Sequence, residues 1–452
     1  MQKIKRKNIY FDTVGCPKNE VDTLTMKNSI DERNFNFLNE PESAQVIVIN
    51  TCSFIEEAAS ESIDRILELS EYKKKGSCKK LIVTGCLVER YSKDIKKELP
   101  EVDIFIGTGA FDKIYDAIKD ESNNCLIHTP PNKKNLIQWY NNFSRNTSQI
   151  TKTVYLRIAE GCSLHCTYCI IPELRGPYRS RPGEHILKEF QFYLDEGVKE
   201  IVLVAQDTAA YGLDLSPSYK LYKLLGQMAE IIEQKNISAR IRVLYFNPQH
   251  IDNNLISVFN EYNVICSYID LPIQHANDEI LKRMGRPYRQ DDLRRCIENM
   301  RSKIPDLVIR TTLLVGFPGE NASHFQELLD FIHDIQFDHL GVFDYSDGDD
   351  LPSHNLSDHV SDIEKEERRH SIMTCQAEIS YKRQQRFVGQ VYEVLTEKES
   401  NDDPPLREGR TYFQAPEIDG ITLLSGPPVP AGDFRKVRIT SAMHYDLIGE
   451  VL

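Results

Sequence analysis

The segment Gly161-Cys162-Ser163-Leu164-His165-Cys166-Thr167-Tyr168-Cys169 constrains this chain more than any other part of it. Its C-x3-C-x2-C run follows directly on the apolar residues 153–159, so three thiols share one tight loop at the end of a strand. Three thiolates so placed can ligate three irons of a cubane 4Fe-4S cluster and leave the fourth iron open to a cofactor. A structural zinc site is the competing reading, but it wants four closed ligands, usually supplied as two separated pairs. His165 is the available fourth donor, and its position inside the loop makes simultaneous ligation awkward. The basic N-terminus, Met1 to Lys7, leads into no apolar stretch of signal-peptide or membrane-span length, so the expected location is the cytoplasm. Thiols stay reduced there, and the eleven cysteines therefore read as metal or packing residues, not as a disulfide framework.

A chain of 452 residues exceeds one ordinary core, and 40% hydrophobic against 27% charged residues is a globular balance. Residues 5–121 alternate short apolar strands with amphipathic stretches, the pattern of a parallel α/β sheet domain. Three of its strands end at a cysteine: 8–14 runs into Gly15-Cys16, 46–50 into Thr51-Cys52, and 81–84 into Gly85-Cys86. Ligands bind outside the carboxyl ends of the strands in open parallel sheets, so Cys16, Cys52 and Cys86 are expected to converge on one crevice. A lone cysteine is usually a small buried hydrophobe, and only the shared position at strand ends carries this inference. Cys78, Cys125, Cys266, Cys296 and Cys375 fit no ligand spacing and read as packing residues. Residues 122–147, rich in Asn, Ser, Thr, Lys and Pro and containing Trp139, read as a linker. In 148–381, candidate strands at 153–159, 200–205, 240–246, 266–271, 307–315 and 339–345 suggest a partial (β/α)6 barrel, with helices over 184–196 and 291–303 among the connections. The charged stretch 357–386 reads as a solvated connecting helix. Short strands punctuated by Pro and Gly make 384–452 a small β-barrel.

The cysteine loop, with Tyr168 just before its third cysteine, resembles the signature of the radical-SAM superfamily. The resemblance implies that S-adenosylmethionine (SAM) binds the open iron and that reduction of the cluster cleaves it to a 5'-deoxyadenosyl radical. The cofactor carries the hard chemistry, and the protein supplies orientation and a dry pocket. With this loop downstream, Cys16, Cys52 and Cys86 resemble the auxiliary-cluster ligands of the methylthiotransferase family. That implies two 4Fe-4S clusters, the second carrying or delivering sulfur, and a second SAM supplying the methyl group. Gly15-Cys16-Pro17-Lys18-Asn19, Asn50-Thr51-Cys52, Thr84-Gly85-Cys86 and Arg175-Gly176-Pro177-Tyr178-Arg179-Ser180-Arg181-Pro182 are similar to segments of the branch that modifies an aspartate of small-subunit ribosomal protein twelve. So are Ala205-Gln206-Asp207-Thr208, Pro272-Ile273-Gln274-His275, Lys282-Arg283-Met284-Gly285-Arg286 and Gly316-Phe317-Pro318-Gly319-Glu320. The sister branch, which modifies a transfer-RNA adenosine, typically has Gln-Met-Asn after its first cysteine and Gly-Gln-Asn in place of Ala205-Gln206-Asp207; this chain has the protein-modifying form at both. The C-terminal barrel resembles a TRAM domain. Ser53 stands where the family usually has Gly, and 344–352 lacks its usual Gly-Thr, departures that bear on loop geometry and touch no cluster ligand.

Around the cysteines several residues admit two roles. Gln206 ends a barrel strand, where active sites of such folds gather, which favours a place beside SAM together with Tyr168. Glu320 either closes a strand-to-helix turn or contacts SAM. His275 is equally placed, though a buried histidine satisfied by its neighbours is commoner. Arg179 and Arg181 either bind substrate or pair with carboxylates, and Gly107-Thr108-Gly109 is too short for a phosphate loop. No catalytic residue is expected beyond the cluster ligands. The net charge of -13 argues against a general nucleic-acid binder. In 384–452, seven Lys or Arg stand against eleven Asp or Glu, which suits a basic ribosomal protein better than a polyanion. The expected partners are that ribosomal protein, an electron donor and a sulfur donor, with no membrane and no direct transfer-RNA substrate. A non-catalytic iron-sulfur carrier, the more distant reading, needs neither the barrel motifs nor an open iron.

Overall fold

Parallel strands covered on both faces read as near-continuous apolar runs, and Val46–Thr51 and Lys80–Gly85 are built on such runs, Val46 to Ile49 and Leu81 to Val83. In the computed structural model, which describes residues 6–30, 35–120, 125–129, 151–216, 218–399 and 407–452, they form the middle of a six-stranded parallel sheet. Its order is Phe35–Leu38, Lys7–Thr13, Val46–Thr51, Lys80–Gly85, Ile104–Ile106, Cys125–Ile127. Side-chain alternation divides the core: Val46 and Val48 join Ile82, Ile104 and Phe111 on one face, Ile47 and Ile49 join Leu81, Val83 and Phe105 on the other. Each such side chain stabilises the fold by about 1.5–3 kcal/mol through burial. The register sets Thr13 opposite Asn50 and Thr51 opposite Gly85, so the three strands that lead to cysteines end in line.

Cys125–Ile127, inside the stretch read as linker, is the edge strand of this sheet. Residues 121–124 and 130–150, with Trp139 among them, lie outside the described residues. The sheet belongs to a compact unit of residues 1–149, 157–165 and 169–186; residues 150–156, 166–168 and 187–452 make a second.

The six expected strands, all but Arg157 in the second unit, are Thr153–Arg157, Glu200–Val204, Arg240–Val243, Tyr268–Asp270, Val308–Val315 and His339–Asp344. The first three form one sheet and the last three another, and a parallel bridge from Ile241 to Ile265 continues one into the next, giving an open arc. The expected helices are Gly183–Asp195 and Gln290–Lys303.

Helix Asp362–Gln384 corrects the solvated reading of the charged stretch. Arg368, Ile372, Gln376 and Ser380 recur every fourth residue and form a buried stripe. Its polar members are matched: Arg368 donates to the Glu320 carbonyl (3.0 Å), Gln376 to that of Phe337 (2.8 Å) and Ser380 to that of Asp338 (2.9 Å). Charge counted along the sequence hid a stripe whose polar side chains each donate to a main-chain carbonyl.

Strands Val391–Glu399, Arg407–Arg410, Thr422–Ser425, Leu447–Val451 and Phe434–Ala442 close, in that order, into a barrel. Residues 410–419 of this barrel meet the first residues of the core strands. Glu200 binds Arg242 (2.6 Å), Arg410 (2.8 Å) and Arg240 (2.9 Å), while Asp419 accepts from the Tyr268 hydroxyl (2.6 Å) and pairs with Arg310 (3.4 Å). Burial alone would raise the Glu200 carboxyl; the guanidiniums of Arg240, Arg410 and Arg242 outweigh it and hold the group well below the usual carboxylate range. Among the described residues no helix is long and apolar enough to cross a membrane.

Candidate functional site

In the first unit, Cys16, Cys52 and Cys86 emerge together where the aligned strands end. Two glycines make the close approach possible. Gly15 has φ +105°, and a Cβ there would lie 2.5 Å from Cys52 Cβ; Gly85 has φ +104°, and a Cβ there would lie 2.5 Å from Asn50 Oδ1 and from the Thr51 carbonyl. Asn19 ties the turns down by donating to the carbonyls of Val14 (2.9 Å) and Thr51 (3.1 Å), and the Cys52 N–H donates to Ser62 Oγ (3.0 Å). Ser53, the departure from the usual Gly, is accommodated fully buried, and Arg90 donates to its carbonyl (2.6 Å).

Burial, with the Cys86 and Cys16 thiols beside it, pushes the Cys52 thiol up to about 12. Burial also raises Cys86, against the pull of Arg175, whose Nη2 donates to Cys86 Sγ at 3.3 Å. The buried Cys52 and Cys86 thiols resist ionising by themselves, and with Cys16 beside them they form the donor set a cationic metal group would satisfy. Among the described residues no three His, Cys, Asp or Glu side chains are arranged around a single metal ion. A cubane places its thiolates on separate irons and so fits a wider triangle.

The loop of Cys162, Cys166 and Cys169 has its own anchors. Gly161 has φ +78°, and a Cβ there would meet the carbonyl oxygens of Pro177 at 2.3 Å and Gly176 at 2.4 Å. The same close approach lets the Cys162 N–H donate to the Gly176 carbonyl (3.0 Å), and the Leu164 N–H donates to Cys162 Sγ (3.4 Å). In the second unit, Thr167 donates from its N–H to the Met284 carbonyl (3.1 Å) and from its hydroxyl to that of Arg283 (2.9 Å). Arg286 donates to the Tyr168 hydroxyl (2.5 Å). Burial works against the Arg286 charge, yet Tyr168, Tyr288 and Cys166 raise its pKa.

Residues 8–107 match the uncharacterized protein family UPF0004, 156–332 the radical SAM superfamily and 388–452 the TRAM domain. The chain is 44% identical over 443 residues to the ribosomal protein uS12 methylthiotransferase RimO of Desulfosudis oleivorans, covering 98% of this chain and 99% of the relative. To the RimO of Clostridioides difficile it is 43% identical over 446 residues, covering 98% of each. The chain belongs to the RimO family.

The solved structures extend the likeness in fold alone. The radical SAM methyltransferase TsrM of Kitasatospora setae, with cobalamin and a 4Fe-4S cluster bound, shares 12% identity with a TM-score of 0.56 over 75% of each chain. The cobalamin-dependent enzyme OxsB has 12% identity and a TM-score of 0.51, over 82% of this chain and 56% of that one.

In this RimO-family chain the other residues singled out by sequence divide clearly. Gln206 stands half-buried just beyond strand Glu200–Val204, beside buried Asp207, which pairs with His250 (2.8 Å). Glu320 closes the turn, accepting from the N–H groups of Gly316 (2.5 Å) and Phe317 (3.2 Å). His275 is buried, its Nδ1 accepting from the Asn277 N–H (2.9 Å). Arg181 is buried and donates to the Arg157 carbonyl (2.6 Å), and Arg179 donates to that of Arg175 (3.0 Å). Sequence reasoning did not assign Arg175 and Arg286, although both lie in segments it set apart.

Proposed function

We propose that the chain β-methylthiolates an aspartate of ribosomal protein uS12 in the cytoplasm, using two 4Fe-4S clusters, one on Cys162, Cys166 and Cys169 and one on Cys16, Cys52 and Cys86. The observation that carries this reading is the convergence of three strand-end cysteines in a chain whose RimO relatives bear the uS12 name. When bound, the clusters and two SAM molecules supply a 5'-deoxyadenosyl radical, the sulfur and the methyl group.

The chain's residues hold and orient. Each set of thiols loses its protons on loading, and only three ligands are offered by each, leaving coordination open for SAM at one and sulfur at the other. Gly161, Gly15 and Gly85 allow the backbone approaches that carry the cysteines. Tyr168, fixed through its hydroxyl by Arg286, and Gln206, just beyond a strand end, are the residues that would flank SAM when it is bound. Electrons and sulfur come from outside donors. Residues 5–121, 148–381 and 384–452 act as auxiliary-cluster domain, radical-SAM core and TRAM-like barrel, and the acidic excess of the last favours a basic protein over RNA.

Reconstituted anaerobically with reductant and SAM, and offered a uS12 peptide and transfer RNA separately, the chain is expected to yield a methylthio product on the peptide by mass spectrometry. A product on RNA alone would contradict the reading.

A further inference from the structure

A guanidinium carried six residues beyond Cys169 reaches the other set of cysteines. Arg175 ends the short helix Ile171–Arg175, and its side chain is 4% exposed. Its Nη2 donates to Cys86 Sγ (3.3 Å) and to Asn19 Oδ1 (2.9 Å), and its Nη1 to Asp22 Oδ2 (2.7 Å). Arg157 holds the same Asp22 from the other side (2.9 Å) and also pairs with Glu160, which lies 3.7 Å from Arg175. Acceptors from separate stretches of chain therefore fix the Arg175 fork in one orientation. The next residue, Gly176, supplies the carbonyl that accepts the Cys162 N–H. One dipeptide thus grips the first loop cysteine with its main chain and the last strand-end cysteine with its side chain.

We infer that Arg175 is a positioning residue for the auxiliary cluster, its fixed N–H donor on Cys86 Sγ and its positive charge setting that cluster's reduction potential and holding Cys86 in register with the radical-SAM loop. The inference rests on the assignment of a cluster to Cys16, Cys52 and Cys86. Hydrogen bonds to ligand sulfur and nearby positive charge favour the more negative, reduced form, and do so strongly where water is excluded. Asp22 acts in the opposite sense, since its carboxylate offsets part of the guanidinium charge. A side chain that only filled space would move the potential in neither variant, and one that only supported the fold would not move it in opposite directions.

The test is a redox titration of the reconstituted full chain by electron paramagnetic resonance, the auxiliary signal being assigned by its loss in Cys16→Ala. In Arg175→Gln, where Arg157 still pairs with both Asp22 and Glu160, the ratio of reduced to oxidised cluster at the wild-type midpoint is expected to fall about tenfold, a shift of about 59 mV to lower potential for one electron. In Asp22→Asn the shift is expected to be to higher potential, with the radical-SAM cluster unmoved in both. An auxiliary potential unchanged in both variants, or moved the same way by both, overturns the inference. Should Arg175→Gln fail to load auxiliary iron, Asp22→Asn decides: a rise supports the inference and no rise overturns it. A wild-type chain with no signal dependent on Cys16 would instead overturn the two-cluster reading, and this is seen before any Arg175 variant is measured.

Discussion

At the scale of single residues, the site depends on positions where a side chain is absent as much as on those where one is present. Gly161→Ala would hold an L-residue at φ +78°, about 1–2 kcal/mol from the backbone alone, and drive its Cβ into the carbonyl oxygens of Pro177 and Gly176, the second of which anchors Cys162. Its expected outcome is loss of about half the iron per reconstituted chain, one cluster of two; full iron loading would contradict the role given to Gly161. The place of Cys16, Cys52 and Cys86 just beyond strand ends was legible in the sequence because strand ends are local patterns. Arg175 was not, because its meaning lies in Cys86, Asp22 and Asn19, which only the folded sheet brings to it. Glu320 and Arg181 were open between two roles in the sequence, and their hydrogen bonds to the main chain show what packing asks of them.

At the scale of elements, the middle strands of the parallel sheet were readable because each carries consecutive apolar residues, Val46 to Ile49 and Leu81 to Val83. Helix Asp362–Gln384 was misread because a charged composition conceals a stripe of hydrogen-bonded polar residues, and strand Cys125–Ile127 because three residues carry too little pattern. The starts of the core strands hold the ion cluster of Glu200. Its pKa is depressed in the folded chain, so its contribution to stability is present above the unfolded carboxyl value, about 4.3, and is lost as pH falls through the folded value. Glu200→Gln leaves three buried guanidiniums without their shared carboxylate and is expected to cost about 3–5 kcal/mol at neutral pH. Melting of the cluster-free wild type and variant should show a wide gap at pH 7 that narrows below pH about 4. A gap independent of pH would contradict the assignment.

At the scale of the whole molecule, the C-terminal barrel serves the core's stability as well as any partner. Arg410 and Asp419 complete ion clusters at the strand starts, and Phe413 stacks on Phe387 at 3.9 Å. A chain ending at Phe387 is expected to aggregate or melt at markedly lower temperature in size-exclusion and thermal assays; a monomer of unchanged melting temperature would show that the barrel is a mere appendage. The division of labour between the two cysteine sets is the claim on which the proposed chemistry rests, and alanine variants separate them. The decisive measurement quantifies 5'-deoxyadenosine and methylthiolated uS12 peptide together, under anaerobic turnover. Loss of Cys162, Cys166 or Cys169 is expected to abolish both products, whereas loss of Cys16, Cys52 or Cys86 is expected to leave 5'-deoxyadenosine and remove the methylthio product. Unimpaired methylthiolation in either set would contradict it.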